Sequence, residues 1–337
     1  MKNVQTLRGT TGLAAIVALI GLVAASCDNA TTTNNDTPVG CGYALCACSP
    51  CAGANCDCDE QQAQAITVQI AEGVTMTMNW IAPGTFTQGQ AAVAPNAGQT
   101  EREVTLTSGF FMGIHSVTQE QFYAVMGANP SDFSSNPAEG EVQGRRPVET
   151  VNWYHAIAFA NRLSIMLELD PVYYVSGINW ETLTFADVPT TNNATWNAVT
   201  ANWEASGFRL PTEAEWEFSA RAGTNTQWSF GDTDADIDYY AWTSLNSNGM
   251  TREVGLLRPN AWGLYDMHGN VWDWVWDWNE ARTTDPATDP RGPAAGGFRV
   301  IRGGCWGLTP DDARSAIRVS SNPGFRFEFL GFRVVRP

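Results

Sequence analysis

Gly207-Phe208-Arg209-Leu210-Pro211-Thr212-Glu213-Ala214-Glu215-Trp216-Glu217 reads as the end of a strand, a proline and the opening of a helix. Thr212 can accept from an early helical amide while Glu215, three residues on, reaches back to the cap, the reciprocal pairing of a capping box. The helix that follows is expected to bury Trp216 and Ala220. Working outward, Thr118-Gln119-Glu120-Gln121 repeats the box and predicts a short helix to about Met126. Asn152 can cap a longer one, in which Ala156, Phe159, Ala160, Leu163 and Met166 recur at helical spacing. On the other side Ile66, Val68 and Ile70 alternate with polar residues as a half-buried strand does. Trp80 to Phe86 reads as strand, turn and strand, and Val104-Thr105-Leu106 and Phe110-Phe111-Met112 continue the sheet. Few of these elements are long, which defines an α+β class rich in loops.

The chain has 337 residues, 44% of them hydrophobic, with 14 Trp and 15 Phe; that is enough apolar surface for one large core plus a tether. Its 31 Gly and 17 Pro call for many turns. A net charge of −16 argues against a nucleic-acid partner, because phosphate binding relies on Lys and Arg that displace counterions.

Residues 1–26 read as an export signal. Lys2 and Arg8 precede a mostly apolar stretch from Gly12 to Ala25, too short for a comfortable membrane span, and Ala24-Ala25-Ser26 places small residues before Cys27. This resembles a bacterial lipoprotein signal with Cys27 lipidated, which would tether the protein to the cell envelope, on its outer surface; secretion with simple cleavage is the alternative. Residues 27–65 are a polar, Cys-rich tether. Within it Cys41, Cys46 and Cys48 share their spacing with Cys51, Cys56 and Cys58. In an exported chain disulfides lead over zinc or an iron cluster, and the pairing is open. The folded domain is expected over 66–337.

Its last segment, from about 300 to 337, keeps Gly303, Gly304, Trp306, Arg314, Ala316, Arg318, Pro323, Arg326, Gly331, Phe332 and Arg333 as fixed punctuation around chemically arbitrary fillers. Together with Pro147-Val148, the Arg209-Leu210-Pro211-Thr212 stretch, Asn260 to Met267 and Gly269-Asn270-Val271-Trp272-Asp273-Trp274, this frame resembles the formylglycine-generating-enzyme family. The resemblance covers roughly residues 76–337 and implies a C-type-lectin-like fold. The fillers resemble, more narrowly, the variable region of retroelement-diversified proteins of the treponemal type.

The resemblance bears on chemistry as follows. Copper-dependent family members use two cysteines five residues apart, and those slots hold Leu308 and Ala313 here. Cys305, where the family commonly has Ser, is left to act alone, and His115, His155 and His268 form no local signature with it. An oxidase using Cys305 and a structural envelope lipoprotein are the alternatives to a binding protein. No catalytic cofactor is expected. The related branch that forms sulfoxides with iron draws histidines from an N-terminal helical domain, for which residues before 66 offer no counterpart. The family's calcium, held around the Gly-Asn-x-Trp turn, maps onto Asp266, Gly269, Val271 and Asp273 as a structural staple.

In the diversified proteins the rewritten residues line a ligand-binding surface. Carried onto this chain, that surface is Gly307, Leu308, Thr309, Asp311, Asp312, Ile317, Val319, Ser320, Ser321, Gly324, Phe325, Phe327, Glu328, Phe329 and Leu330. The alternation of Phe325, Phe327 and Phe329 also reads as an edge strand burying three rings. Display is the expectation, because Phe332 already serves the core at that end. The mixture of Asp and Glu with Phe and Leu suits a protein ligand carrying Lys or Arg beside apolar residues.

Overall fold

The computed structural model describes residues 65–90 and 99–337, so Cys27 and the six tether cysteines lie outside the described residues. The chain opens with β1 (Ala65–Ala71), β2 (Val74–Ile81), β3 (Gly84–Gln90), β4 (Gln99–Leu106) and β5 (Phe110–Gly113), followed by α1 (Gln119–Met126) and α2 (Trp153–Met166). A stretch of short pieces follows: β6 (Tyr173–Tyr174), α3 (Ala194–Asn197), β7 (Thr200–Ala201), α4 (Glu213–Arg221) and α5 (Ile237–Tyr240). The last part holds β8 (Trp272–Trp278), β9 (Ala287–Thr288), β10 (Arg299–Arg302), β11 (Arg318–Ser321), β12 (Leu330–Phe332) and β13 (Val335–Arg336).

The three helix starts form as their local chemistry dictates. Thr118, Asn152 and Thr212 each accept from the third helical amide, and Gln121, His155 and Glu215 each reach back to the cap. Of the α2 stripe, Ala156, Phe159, Ala160 and Leu163 are fully buried, whereas Met166 is exposed where the last turn leaves the core. Trp216 and Ala220 are buried on α4 as expected.

Two four-stranded sheets organise the molecule, in the orders β1-β2-β5-β13 and β11-β10-β8-β12. The first ties the beginning of the domain to its end, with Val335 opposite Met112. In the second, β8 lies between antiparallel β10 and parallel β12 and is buried along nearly its whole length, as its run of Trp and Val requires. Arg299 of β10 is buried beside β8, its guanidinium 3.7 Å from the Trp153 ring centre and 3.5 Å from that of Trp278. No carboxylate pairs with it among the described residues; the ring faces hold the cation, helped by a hydrogen bond to the Trp276 carbonyl.

Candidate functional site: a displayed face on a buried ionic frame

The C-terminal segment leaves β10 through a turn that only glycine can make. Gly303 and Gly304 sit at φ 104° and 78°, and a Cβ on Gly304 would lie 2.9 Å from the Ala313 Cα. Beyond the turn, Trp306 donates its ring N–H to the Glu328 carbonyl at 3.1 Å and meets Phe133 edge-on at 5.3 Å. It is half-buried. Thr309 and Asp312 then form a small capping box over a short 3-10 turn, which uses one Asp312 oxygen internally.

Beneath this segment is a network of buried charge. Glu217 Oε2 accepts from Arg302 at 2.6 Å, while its Oε1 takes Arg221 at 2.9 Å and the Gly89 amide at 2.7 Å. Glu213 receives Arg318 on both oxygens, at 2.6 and 3.0 Å, and Arg282 at 2.6 Å. Burial opposes ionisation of both acids, but the surrounding guanidiniums outweigh it and hold the carboxyls below the usual range. Asp277, which accepts from the Glu213 amide, is pushed the other way by burial and by the neighbouring Glu213 charge. Arg302 further donates to the carbonyls of Ser315, Ala316 and Ile317, so one guanidinium fixes three residues of the incoming segment. Arg314 holds the Asp311 carbonyl at 2.8 Å. Arg326, another residue of the frame, is exposed, and no ion pair engages it among the described residues.

Most expected surface positions are displayed. Gly307, Thr309, Asp311, Val319, Phe325 and Phe327 are exposed, and Leu308, Asp312, Ser320, Ser321, Glu328 and Phe329 are partly so. Phe325 is 51% and Phe327 39% exposed. They meet edge-on at 6.0 Å, and Phe327 stacks on Phe329 at 5.1 Å. No strand forms over 325–329: the Phe325 amide closes a turn onto Asn322 and the Leu330 amide one onto Phe327.

Three positions depart from the expectation. Ile317 packs into the larger core cluster, and Leu330 is wholly buried in β12 opposite Trp272. Gly324 is buried against the Thr191 backbone, which a Cβ would approach within 2.4 Å, so a side chain there fits only if the backbone shifts. Phe298, just before β10, is 52% exposed, a lone aromatic outside the periodic pattern.

The four residues assigned to calcium do not fit an open shell as a set. Asp273 is fully engaged: Oδ1 accepts from Ser116, and Oδ2 from the Trp216 ring N–H at 3.0 Å and from Arg333 at 2.7 Å. Arg333 also donates to the Tyr265 and Asp266 carbonyls, so a guanidinium serves as the cation of this turn. Asp266 Oδ1 is buried without a hydrogen-bond partner, and burial pushes that carboxyl up to about 6. One free carboxylate oxygen of Asp266 with the backbone carbonyls of Gly269 and Val271 falls short of the six to eight oxygens, roughly, that calcium takes. Among the described residues no group of three His, Cys, Asp or Glu could hold a metal ion.

Cys305 is buried and unpaired, and burial raises its thiol to about 11. Leu308 is half-buried and Ala313 is packed under Gly304, so neither slot offers a donor.

These features define a loop-rich α+β domain of the C-type-lectin-like, formylglycine-generating type. The chain belongs to the sulfatase-modifying factor enzyme 1-like domain family, which matches residues 64–337. It is similar to the solved structure of Treponema denticola variable protein 1, with a TM-score of 0.77 and 43% identity, covering 81% of this chain and 99% of the other. It is 34% identical over 236 residues to the chaperone protein LppX of Paenibacillus barcinonensis, covering 65% of this chain and 76% of that one. It is also 36% identical over 158 residues to the formylglycine-generating enzyme of Streptomyces coelicolor, of which it covers half the length.

Proposed function

We propose that this is a surface-tethered binding protein whose C-terminal face is rewritten by a retroelement to change what it recognises, and that it catalyses no reaction. The observation that carries this is the separation of roles within one short segment. Positions resembling rewritten template slots are largely exposed, while the residues between them are tied into buried ion pairs and backbone bonds. The likeness to a treponemal variable protein supports the same reading. A relative named as a chaperone protein points toward polypeptides as ligands. The absence of sulfur at positions 308 and 313, with a thiol at 305 that burial keeps protonated at neutral pH, argues against the oxidation carried out by enzymes of this family. Export and lipidation at Cys27 belong to the same proposal and rest on the sequence of residues 1–27.

The test is sequencing of this gene across a cell population, with its flanking DNA. Substitutions are expected to cluster at the exposed positions between 307 and 329, with a reverse-transcriptase gene and an imperfect repeat nearby. Identical copies and no such gene would remove the reading. Cys305→Ser is expected to leave folding and binding unchanged.

A further inference from the structure

Between Arg318 and Ser321 the chain presents backbone as well as side chains. β11 is the outer strand of its sheet: it pairs with β10 at four successive positions without a bulge, and no strand lies on its other side among the described residues. An outer strand keeps a row of N–H and C=O groups able to pair with another chain, and proteins usually blunt such edges with lysine, proline or a bulge. β11 reads Arg-Val-Ser-Ser, and its one charge is taken up by both oxygens of Glu213 and by the Glu280 carbonyl at 2.8 Å. The edge is therefore neutral and short, and ionic anchors behind it hold it in place. Exposed apolar groups flank it. Val319 is 46% exposed, and Phe325 follows a turn later. At the opposite end the Glu280 side chain is exposed beside Arg318.

We infer that the open edge of β11 receives an extended segment of a partner protein by strand addition, with apolar residues against Val319 and Phe325 and a basic residue reaching Glu280. This rests on the reading of the face as the ligand surface and deepens it. Backbone hydrogen bonds are blind to side-chain identity, so they persist when Val319, Ser320 and Ser321 are rewritten, while the side chains select the sequence. A second copy of the chain is a poor occupant, since two molecules each carrying −16 repel.

The experiment pans phage-displayed random peptides of about ten residues on the immobilised full chain. One enriched peptide is then synthesised unmodified, N-methylated at odd positions and N-methylated at even positions. Because amides alternate in direction along a strand, one methylated form is expected to lose about tenfold or more in affinity and the other to stay within about twofold. Val319→Asp is expected to weaken the parent peptide. Strand addition is overturned if both methylated forms bind alike, if no peptide is enriched, or if the chain forms a concentration-dependent dimer that Val319→Asp dissolves. Should both forms bind alike while Phe325→Ser and Phe327→Ser abolish binding, the ligand face stands and only its backbone mode falls. If those two variants and Val319→Asp all leave binding unchanged, the ligand face falls as well.

Discussion

Arg302 and Arg326 are 24 residues apart in one segment and share a side chain, yet they live in opposite worlds. Arg302 is wholly buried, touches Glu217 and three carbonyls, and fixes where the segment enters. Arg326 stands in solvent between two exposed phenylalanines. The difference shows that a run of residues can be half scaffold and half display if the scaffold half is bonded to distant elements as well as to its own neighbours. Arg318 teaches the same, since its partner Glu213 lies on α4, far away in sequence.

The largest effect should come from breaking the buried half. Glu217→Gln leaves Arg302, Arg221 and Arg282 short of their shared carboxylate, and stranding buried charge costs about 3 to 5 kcal/mol, read by urea unfolding. A loss below about 1 kcal/mol would mean the network is not what holds the segment. Next in size is Gly324→Ala, whose methyl would collide with the Thr191–Asn192 backbone; a cost of about 1 to 3 kcal/mol is expected. An unchanged stability would show that the loop yields freely and that position 324 belongs with the displayed set after all.

A smaller effect is pH-dependent. Glu149 accepts from the amides of Asp132 and Phe133, the residue that meets Trp306, and burial pushes its carboxyl up to about 7. A carboxyl whose folded pKa lies above its unfolded value stabilises the fold fully below the unfolded value, and that contribution is lost as pH rises through about 7. The melting temperature is therefore expected to fall from about pH 5 to about pH 7 and to level off above that, and the fall should shrink in Glu149→Gln. Identical slopes for the two proteins would assign the pH dependence elsewhere.

How much of this was legible in the residues depended on range. The capping boxes at Thr118 and Thr212 and the Asn152 cap are local, and each helix begins where its cap stands. The exposure of Phe325 and Phe327 also matched the expectation of display. What escaped was non-local. Glu213 and Glu217 read only as helix residues, because apart from Arg221, one turn on in the same helix, their arginine partners are 65 to 105 positions away. Asp273 looked like a free oxygen donor until β12 led Arg333 back to it. Gly324 looked rewritable because nothing in its own neighbourhood announces the Thr191 backbone.

The central claim is that the frame folds whatever the displayed residues are. Its most direct measurement is the thermal stability of variants in which Gly307, Asp311, Val319, Ser320, Ser321, Phe325, Phe327 and Glu328 are changed together to varied residues, leaving Leu308 and Phe329 against the core and the Thr309–Asp312 box intact. Surface changes of this kind are expected to stay within about 0.5 kcal/mol each, so most variants should melt cooperatively near the parent while their peptide preferences diverge. Widespread loss of folding among them would contradict the account, since it would place those side chains in the scaffold.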